Sequence, residues 1–114
     1  MELNFEKHEN VIVVYLHGRF DVCLTEKIEK EVIRLIDSEQ SSDFIFNLRD
    51  VEYLSSSGIG LFVSVMVKLK KRGKRLVLCE LNSSVKKILE LVEMSTLFNI
   101  CKSEAEAREV VKRQ

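Results

Sequence analysis

Phe44-Ile45-Phe46-Asn47-Leu48 opens the stretch that decides the fold. It is a short run of aromatic and branched residues, the composition of a strand. Polar residues follow, and from Gly58 apolar residues recur at Ile59, Phe62, Val63, Met66 and Leu69, three or four apart, as on one face of a helix. Lys70, Lys71 and Arg72 crowd its last turn, and Gly73 stands at the natural stopping position. Arg75-Leu76-Val77-Leu78-Cys79 is strand-like again. A strand, a helix and a second strand in this order predict a parallel pair joined by a right-handed crossover.

The same alternation extends in both directions. Upstream, Leu3 to Lys7 reads as a short strand, His8-Glu9-Asn10 as a polar break, and Val11 to Leu16 as the strongest strand signal in the chain. That three-residue break predicts an antiparallel hairpin. Gly18 punctuates, and a helix with its apolar stripe at Leu24, Ile28, Val32, Leu35 and Ile36 follows. Asp37 to Ser42 reads as a loop, and Arg49 to Ser57 as a connection. Downstream, a helix starting near Ser83 buries Val85, Ile88, Leu89 and Val92, and Leu97 to Cys101 is a candidate edge strand. Ser103 with Glu106 fits a capping box for a last helix, Glu104 to Lys112. The predicted order is β-β-α-β-α-β-α-β-α, an α/β fold on a mixed, mostly parallel sheet of four to five strands with about four helices.

Composition bounds the function. With 114 residues, residues 1–114 are expected to form a single domain. Apolar residues make up 46% and charged residues 32%, a globular balance. Eighteen basic side chains meet eighteen acidic ones, whereas nucleic-acid binders carry a basic surplus. The longest apolar run, Ile59 to Val67, is broken by Gly60 and Ser64 and is too short for a bilayer. The first nine residues lack a signal-peptide core. Of Cys23, Cys79 and Cys101, two lie in apolar strand-like runs, and no Cys-x-x-Cys pair occurs, which suits a reducing cytoplasm. His8 and His17 stand apart from any Cys/His cluster, so no metal is expected. The basic run Lys68 to Arg75 complements a helix C-terminus more simply than it suggests an anionic partner. Leu61 and Val65 lie off the main stripe of their helix, either packed under a neighbouring helix or part of a docking patch.

The connection before the second helix reads Val51-Glu52-Tyr53-Leu54-Ser55-Ser56-Ser57-Gly58-Ile59-Gly60. In an open α/β sheet this carboxyl end of a strand is where ligands and partners are usually met. One serine serves as a helix N-cap, which does not account for three. A phosphate on one of them would be received by the free amides of the first helical turn and would add about −1.5 to −2 charges. Asp21 is an N-cap candidate in the same way, or a partner contact.

This stretch, with Gly18-Arg19-Phe20-Asp21 before it and Gly73 to Leu91 after it, resembles the STAS domain of bacterial anti-sigma-factor antagonists over nearly the whole chain. The family pattern is an aspartate, then Ser, Ser or Thr, then Gly-Leu-Gly or a close variant, and Ser56-Ser57-Gly58-Ile59-Gly60 is similar to it. The resemblance implies a partner-switching cycle. The unmodified antagonist binds an anti-sigma factor and frees a sigma factor. The anti-sigma factor, itself an ATP-dependent serine kinase, phosphorylates the antagonist, and a serine phosphatase resets it. The resemblance assigns the acceptor to Ser56 and the docking face to Asp21, Ser55, Ser57, Gly58, Ile59 and Gly60. One departure stands out: Ser55 occupies the aspartate's place, which removes a carboxylate and leaves Ser55 and Ser57 as alternative acceptors. A non-phosphorylated STAS scaffold within a larger signalling or transport assembly is the alternative reading.

An enzyme is the third class. The loop lacks the glycine two residues ahead of the nucleophile that a strained elbow needs, and no Gly-x-x-x-x-Gly-Lys-Ser/Thr sequence cradles a phosphate. No cofactor and no catalytic residue are expected.

Overall fold

The computed structural model describes residues 3–113. Strand β1 (Asn4–His8) turns through Glu9 and Asn10 into β2 (Val11–Phe20), and the two pair antiparallel. His8 belongs to the strand, so the hairpin loop has two residues rather than three, with Glu9 at φ 56° taking the left-handed conformation such tight loops demand. Helix α1 (Val22–Ser38), β3 (Asp43–Leu54), α2 (Ser56–Lys70), β4 (Leu76–Cys79), α3 (Ser83–Leu91), β5 (Asn99–Cys101) and α4 (Glu104–Lys112) follow. The sheet order is β1-β2-β3-β4-β5, and every pair after the first is parallel. This is the α/β architecture the alternation of strands and helices predicts.

Ile12, Val13 and Val14 are all fully buried, because both faces of the sheet are covered. Ile12, Val14 and Leu16, with Phe44, Phe46, Leu48, Leu76 and Leu78, face the larger core beneath α1, α2 and α3. Val13, Ile45, Val77 and Cys79 face the other way and pack on Ala107 and Val111 of α4. In the larger core Phe62 of α2 meets Phe46 and Phe98 edge-on, with centroids 5.5 and 6.5 Å apart. Each such pair adds about 0.5–1.5 kcal/mol beyond its buried area.

The sequence pattern is amended in five further places. Gly18 does not end β2: the strand runs through it to Phe20, with Gly18 at φ 104° inside an irregular ladder. The segment Arg49 to Leu54 is not a connection but the second half of β3, and Asp37 and Ser38 still belong to α1. The buried face of α2 includes Leu61 and Val65, while Val63 and Met66 are only half-buried, because α2 packs on α1 as well as on the sheet. Val92 caps α3 and is half-exposed.

The basic run has a more particular use than complementing its own helix. Arg72 donates to Ile36 O at 2.8 Å and to Asp37 Oδ1 at 3.0 Å, and Lys68 Nζ lies 2.8 Å from the same carboxylate. These cations tie the C-terminal end of α1 to α2. Ser103 Oγ accepts from Glu106 N at 3.2 Å as a capping box requires, but Glu106 returns its carboxylate to Lys102 N rather than to Ser103.

Candidate functional site

Strands β2 and β3 end together. Their ladder closes on Phe20↔Leu54, and the next residues, Asp21 and Ser55, are the N-caps of α1 and α2. Asp21 Oδ1 accepts from Leu24 N at 2.9 Å, and Ser55 Oγ accepts from Gly58 N at 3.2 Å. Ser55 N donates to Phe20 O at 2.8 Å, so the loop before α2 is anchored on the loop before α1. Two helix N-termini therefore open side by side, each with exposed amides and the positive end of its dipole. Helices α1 and α2 begin at Val22 and Ser56, earlier than the apolar periodicity suggests, because a cap precedes the first apolar residue of a stripe.

The three serines have three different environments. Ser55 is half-buried and its hydroxyl serves as the cap. Ser56, the first helical residue, is exposed, and its hydroxyl has no hydrogen-bond partner among the described residues. Ser57 is half-buried in the same turn. Gly60 is exposed, with open space where a Cβ would stand. Gly58 is buried, and a Cβ there would meet Leu54 Cδ2 and Phe20 Cβ at 3.2 Å each. Ile59 is 7% exposed and belongs to the core. Of the residues the sequence singles out, Asp21, Ser56 and Gly60 are exposed at this end of the sheet, whereas Gly58 and Ile59 fix the loop from beneath.

What brings the loop here is the irregular second half of β3. Between Tyr15↔Asn47 and Arg19↔Tyr53, β2 advances by four residues and β3 by six, with register shifts beside Tyr15/His17 and Gly18/Arg19. Such bulges add local twist and re-aim the chain beyond them. Gly18 is required at one of them: its φ is positive, and a Cβ would press on Leu24 Cδ2 at 3.2 Å. Arg19 stacks over the Tyr53 ring at 4.9 Å on the other face.

Asn82 is a residue the sequence pattern does not mark. It caps α3, with Oδ1 accepting from Val85 N at 3.0 Å, and its Nδ2 donates to Val51 O in the bulged part of β3. The asparagine one residue before the expected start of α3 is the only sequence signal for it.

The remaining chemistry-bearing groups lie elsewhere. His8 sits 3.0 Å from both Glu6 Oε1 and Arg108 on the β1 side of the sheet. Cys79 and Cys101 are register partners on β4 and β5. Burial, then the charges of Glu80 and Glu104, push the Cys79 thiol up to about 12; burial also raises Cys101. Cys23 is exposed. Among the described residues no helix is long and apolar enough to cross a membrane.

Comparison with known proteins gives the arrangement its context. An anti-sigma F factor antagonist of Paenibacillus polymyxa is 24% identical over 100 residues, covering 88% of this chain and 83% of that protein. An anti-sigma-B factor antagonist of Bacillus subtilis is 29% identical over 100 residues, covering 88% and 90%. The solved structure of the anti-sigma factor antagonist SpoIIAA in its unphosphorylated form superposes with a TM-score of 0.79 at 22% identity, covering 96% of each chain. Its phosphorylated form, from Bacillus, superposes at 0.70 and also at 22% identity, covering 96% of this chain and 98% of that one. The family model described as STAS domain matches residues 2–107, and the chain belongs to that family.

Proposed function

We propose that the chain is an anti-sigma-factor antagonist that works as a phosphorylation-controlled partner switch, with Ser56 as the phosphoacceptor. The observation that carries this reading is the exposure of Ser56 at the first position of α2, its hydroxyl without a hydrogen-bond partner among the described residues, between a neighbour already used as a cap and a half-buried one. Relatives named anti-sigma factor antagonists, and a structural neighbour solved in phosphorylated and unphosphorylated forms, support it.

In this reading the unmodified loop, with Asp21, Ser57 and Gly60 around Ser56, docks on an anti-sigma factor that is also a serine kinase, and so frees a sigma factor. Open space over Gly60 lets a partner approach the α2 backbone closely. Gly58 and Ile59 contribute from beneath by holding the turn in place. A phosphate on Ser56 leaves the fold intact, because the first-turn amides and the dipole favour it. It spoils docking instead: like charges brought together at an interface cost several kcal/mol, and each 1.4 kcal/mol is about tenfold in affinity. A serine phosphatase restores the unmodified state. The chain itself is a substrate and a binding protein of the cytoplasm, with no catalytic role, no bound cofactor and no nucleic-acid partner.

A second reading, a STAS scaffold that binds constitutively, is favoured by Ser55 in the aspartate's place. Ser55 supplies the cap but no charge beside the acceptor. Phosphopeptide mass spectrometry of residues 50–68, on protein from its own cells, separates the two. Phosphate on Ser56, with binding lost in Ser56→Asp and retained in Ser56→Ala, is the expected result. Absence of phosphate under all growth conditions, with binding indifferent to ATP, would establish the scaffold.

A further inference from the structure

The β3–β4 ladder stops at Asn47↔Cys79, seven residues before β3 ends at Leu54. Beyond it, the bulged half of β3 is laddered to β2 on one side only. On the other side the Asn82 amide takes the place of a neighbouring strand by donating to Val51 O, while its oxygen caps α3. Val51 is fully buried, and the Asn82 amide is the side-chain donor that reaches its carbonyl where the ladder to β4 has ended. From Val51 the chain has only Glu52, Tyr53 and Leu54 to cross before the Ser55 cap.

We infer that Asn82 is a positioning residue for the Ser55–Gly60 loop: its two-ended amide ties the start of α3 to the bulged end of β3 and so sets where the exposed Ser56 hydroxyl stands. The role rests on the reading of this loop as the phosphorylated docking surface, but the tether itself does not depend on it. Cap and tether are separable, since serine and aspartate cap a helix about as well as asparagine, and neither offers an amide donor to Val51 O. Asn82→Ser and Asn82→Asp therefore remove the tether and keep the cap, and Asn82→Ala removes both.

The experiment is native-state amide hydrogen exchange on the full chain, read per residue, together with the fraction of Ser56 phosphorylated in its own cells. In Asn82→Ser and Asn82→Asp, protection over Glu52 to Ile59 is expected to fall roughly tenfold, the loss of one half-buried hydrogen bond, while Val85 to Leu89 keep wild-type protection. In Asn82→Ala both segments lose protection. The Ser56 phosphate fraction should fall in all three variants and return in none of the capping ones. Wild-type protection over Glu52 to Ile59 in Asn82→Ser would overturn the tether, as would equal loss in α3. If the wild-type chain carries no phosphate while the exchange pattern appears as expected, the tether stands and the phosphorylation reading fails.

Discussion

Two glycines in the first turns of α2 should respond to the same substitution with opposite signs. Alanine in place of glycine inside a helix gains about 0.5–1 kcal/mol from reduced backbone entropy of the unfolded chain. At Gly60 nothing lies within 4 Å of the added methyl, so Gly60→Ala should show that gain in full. At Gly58 the methyl would meet Leu54 Cδ2 and Phe20 Cβ at 3.2 Å and Phe20 O at 3.4 Å. Phe20 Cβ is fixed to the strand backbone, whose carbonyl holds Ser55 N, so relief of that contact moves α2 by a few tenths of an ångström. Overpacking of this kind costs about 1–3 kcal/mol. After subtracting the helical gain, Gly58→Ala should be destabilised by about 0.5–2 kcal/mol, or about 4 °C in Tm for each kcal/mol at this size. Urea unfolding followed by far-UV circular dichroism measures both, with an unchanged m-value required for the comparison. Gly58→Ala at or above wild-type stability would refute the argument that α2 is seated tightly on the ends of β2 and β3. Destabilisation of Gly60→Ala would refute the claim that its surface is open.

Other substitutions test the caps, the core and the titrating groups. Ser55→Ala should cost about 0.5–2 kcal/mol by urea titration, whereas Ser55→Asp should stay within about 0.5 kcal/mol, because both residues cap. Phe62→Ala, at the centre of the aromatic cluster, should cost about 3–5 kcal/mol. Iodoacetamide under native conditions should label Cys23 first and Cys79 only on unfolding, read by peptide mass spectrometry, since Cys79 is fully buried with its thiol pushed up to about 12. Burial, then Glu104 and Glu6, raise the Tyr15 hydroxyl to about 12 from its ordinary 10. The folded state thus favours the neutral phenol, and its contribution is complete below about 10 and lost as pH rises through the folded value. Burial opposes ionisation of Glu104, but hydrogen bonding from Tyr15, Asn47 and Arg108 outweighs it and holds the carboxyl low. That contribution is present above the ordinary carboxylate range and is lost as pH falls through the lowered value. Glu104→Gln should flatten the acid limb of the stability profile.

The elements that are easy to read are those whose side-chain period is undisturbed. Phe44, Phe46 and Leu48 alternate, and the first half of β3 is plain in the sequence. The residues that continue the same buried face are Val51 and Leu54, three apart rather than two, because each bulge inserts a residue opposite β2. A period of three belongs to no regular strand, so the second half reads as loop. Gly18 misleads in the same way, since glycine punctuates turns more often than it sits in a bulge. The last helix is legible to the residue, because Ser103 announces its start and a polar run sets its end. The serine loop is legible as a place, but the sequence does not divide labour among Ser55, Ser56 and Ser57. That division depends on which hydroxyl the Gly58 amide reaches, a matter of the chain's entry angle into α2 rather than of composition. Asn82 acts through a partner 31 positions away in sequence, and no local pattern encodes such a contact.

The strand order also bears on what kind of partner the loop can meet. In open parallel sheets a crevice for small ligands forms where the strand order reverses and helices diverge to opposite faces. Here the order runs β1-β2-β3-β4-β5 without reversal. Right-handed crossovers between successive neighbours must then put α1, α2 and α3 on one face, as observed, while α4 reaches the other only because it follows the last strand. No reversal splits α1 from α2; the two pack together, and the cap of α2 is joined to the strand end before α1 through Ser55 N and Phe20 O. In the proposed switch a partner protein would lie across both N-termini. A phosphate on Ser56 would then stand between the two proteins, beside the exposed Asp21 carboxylate end of α1.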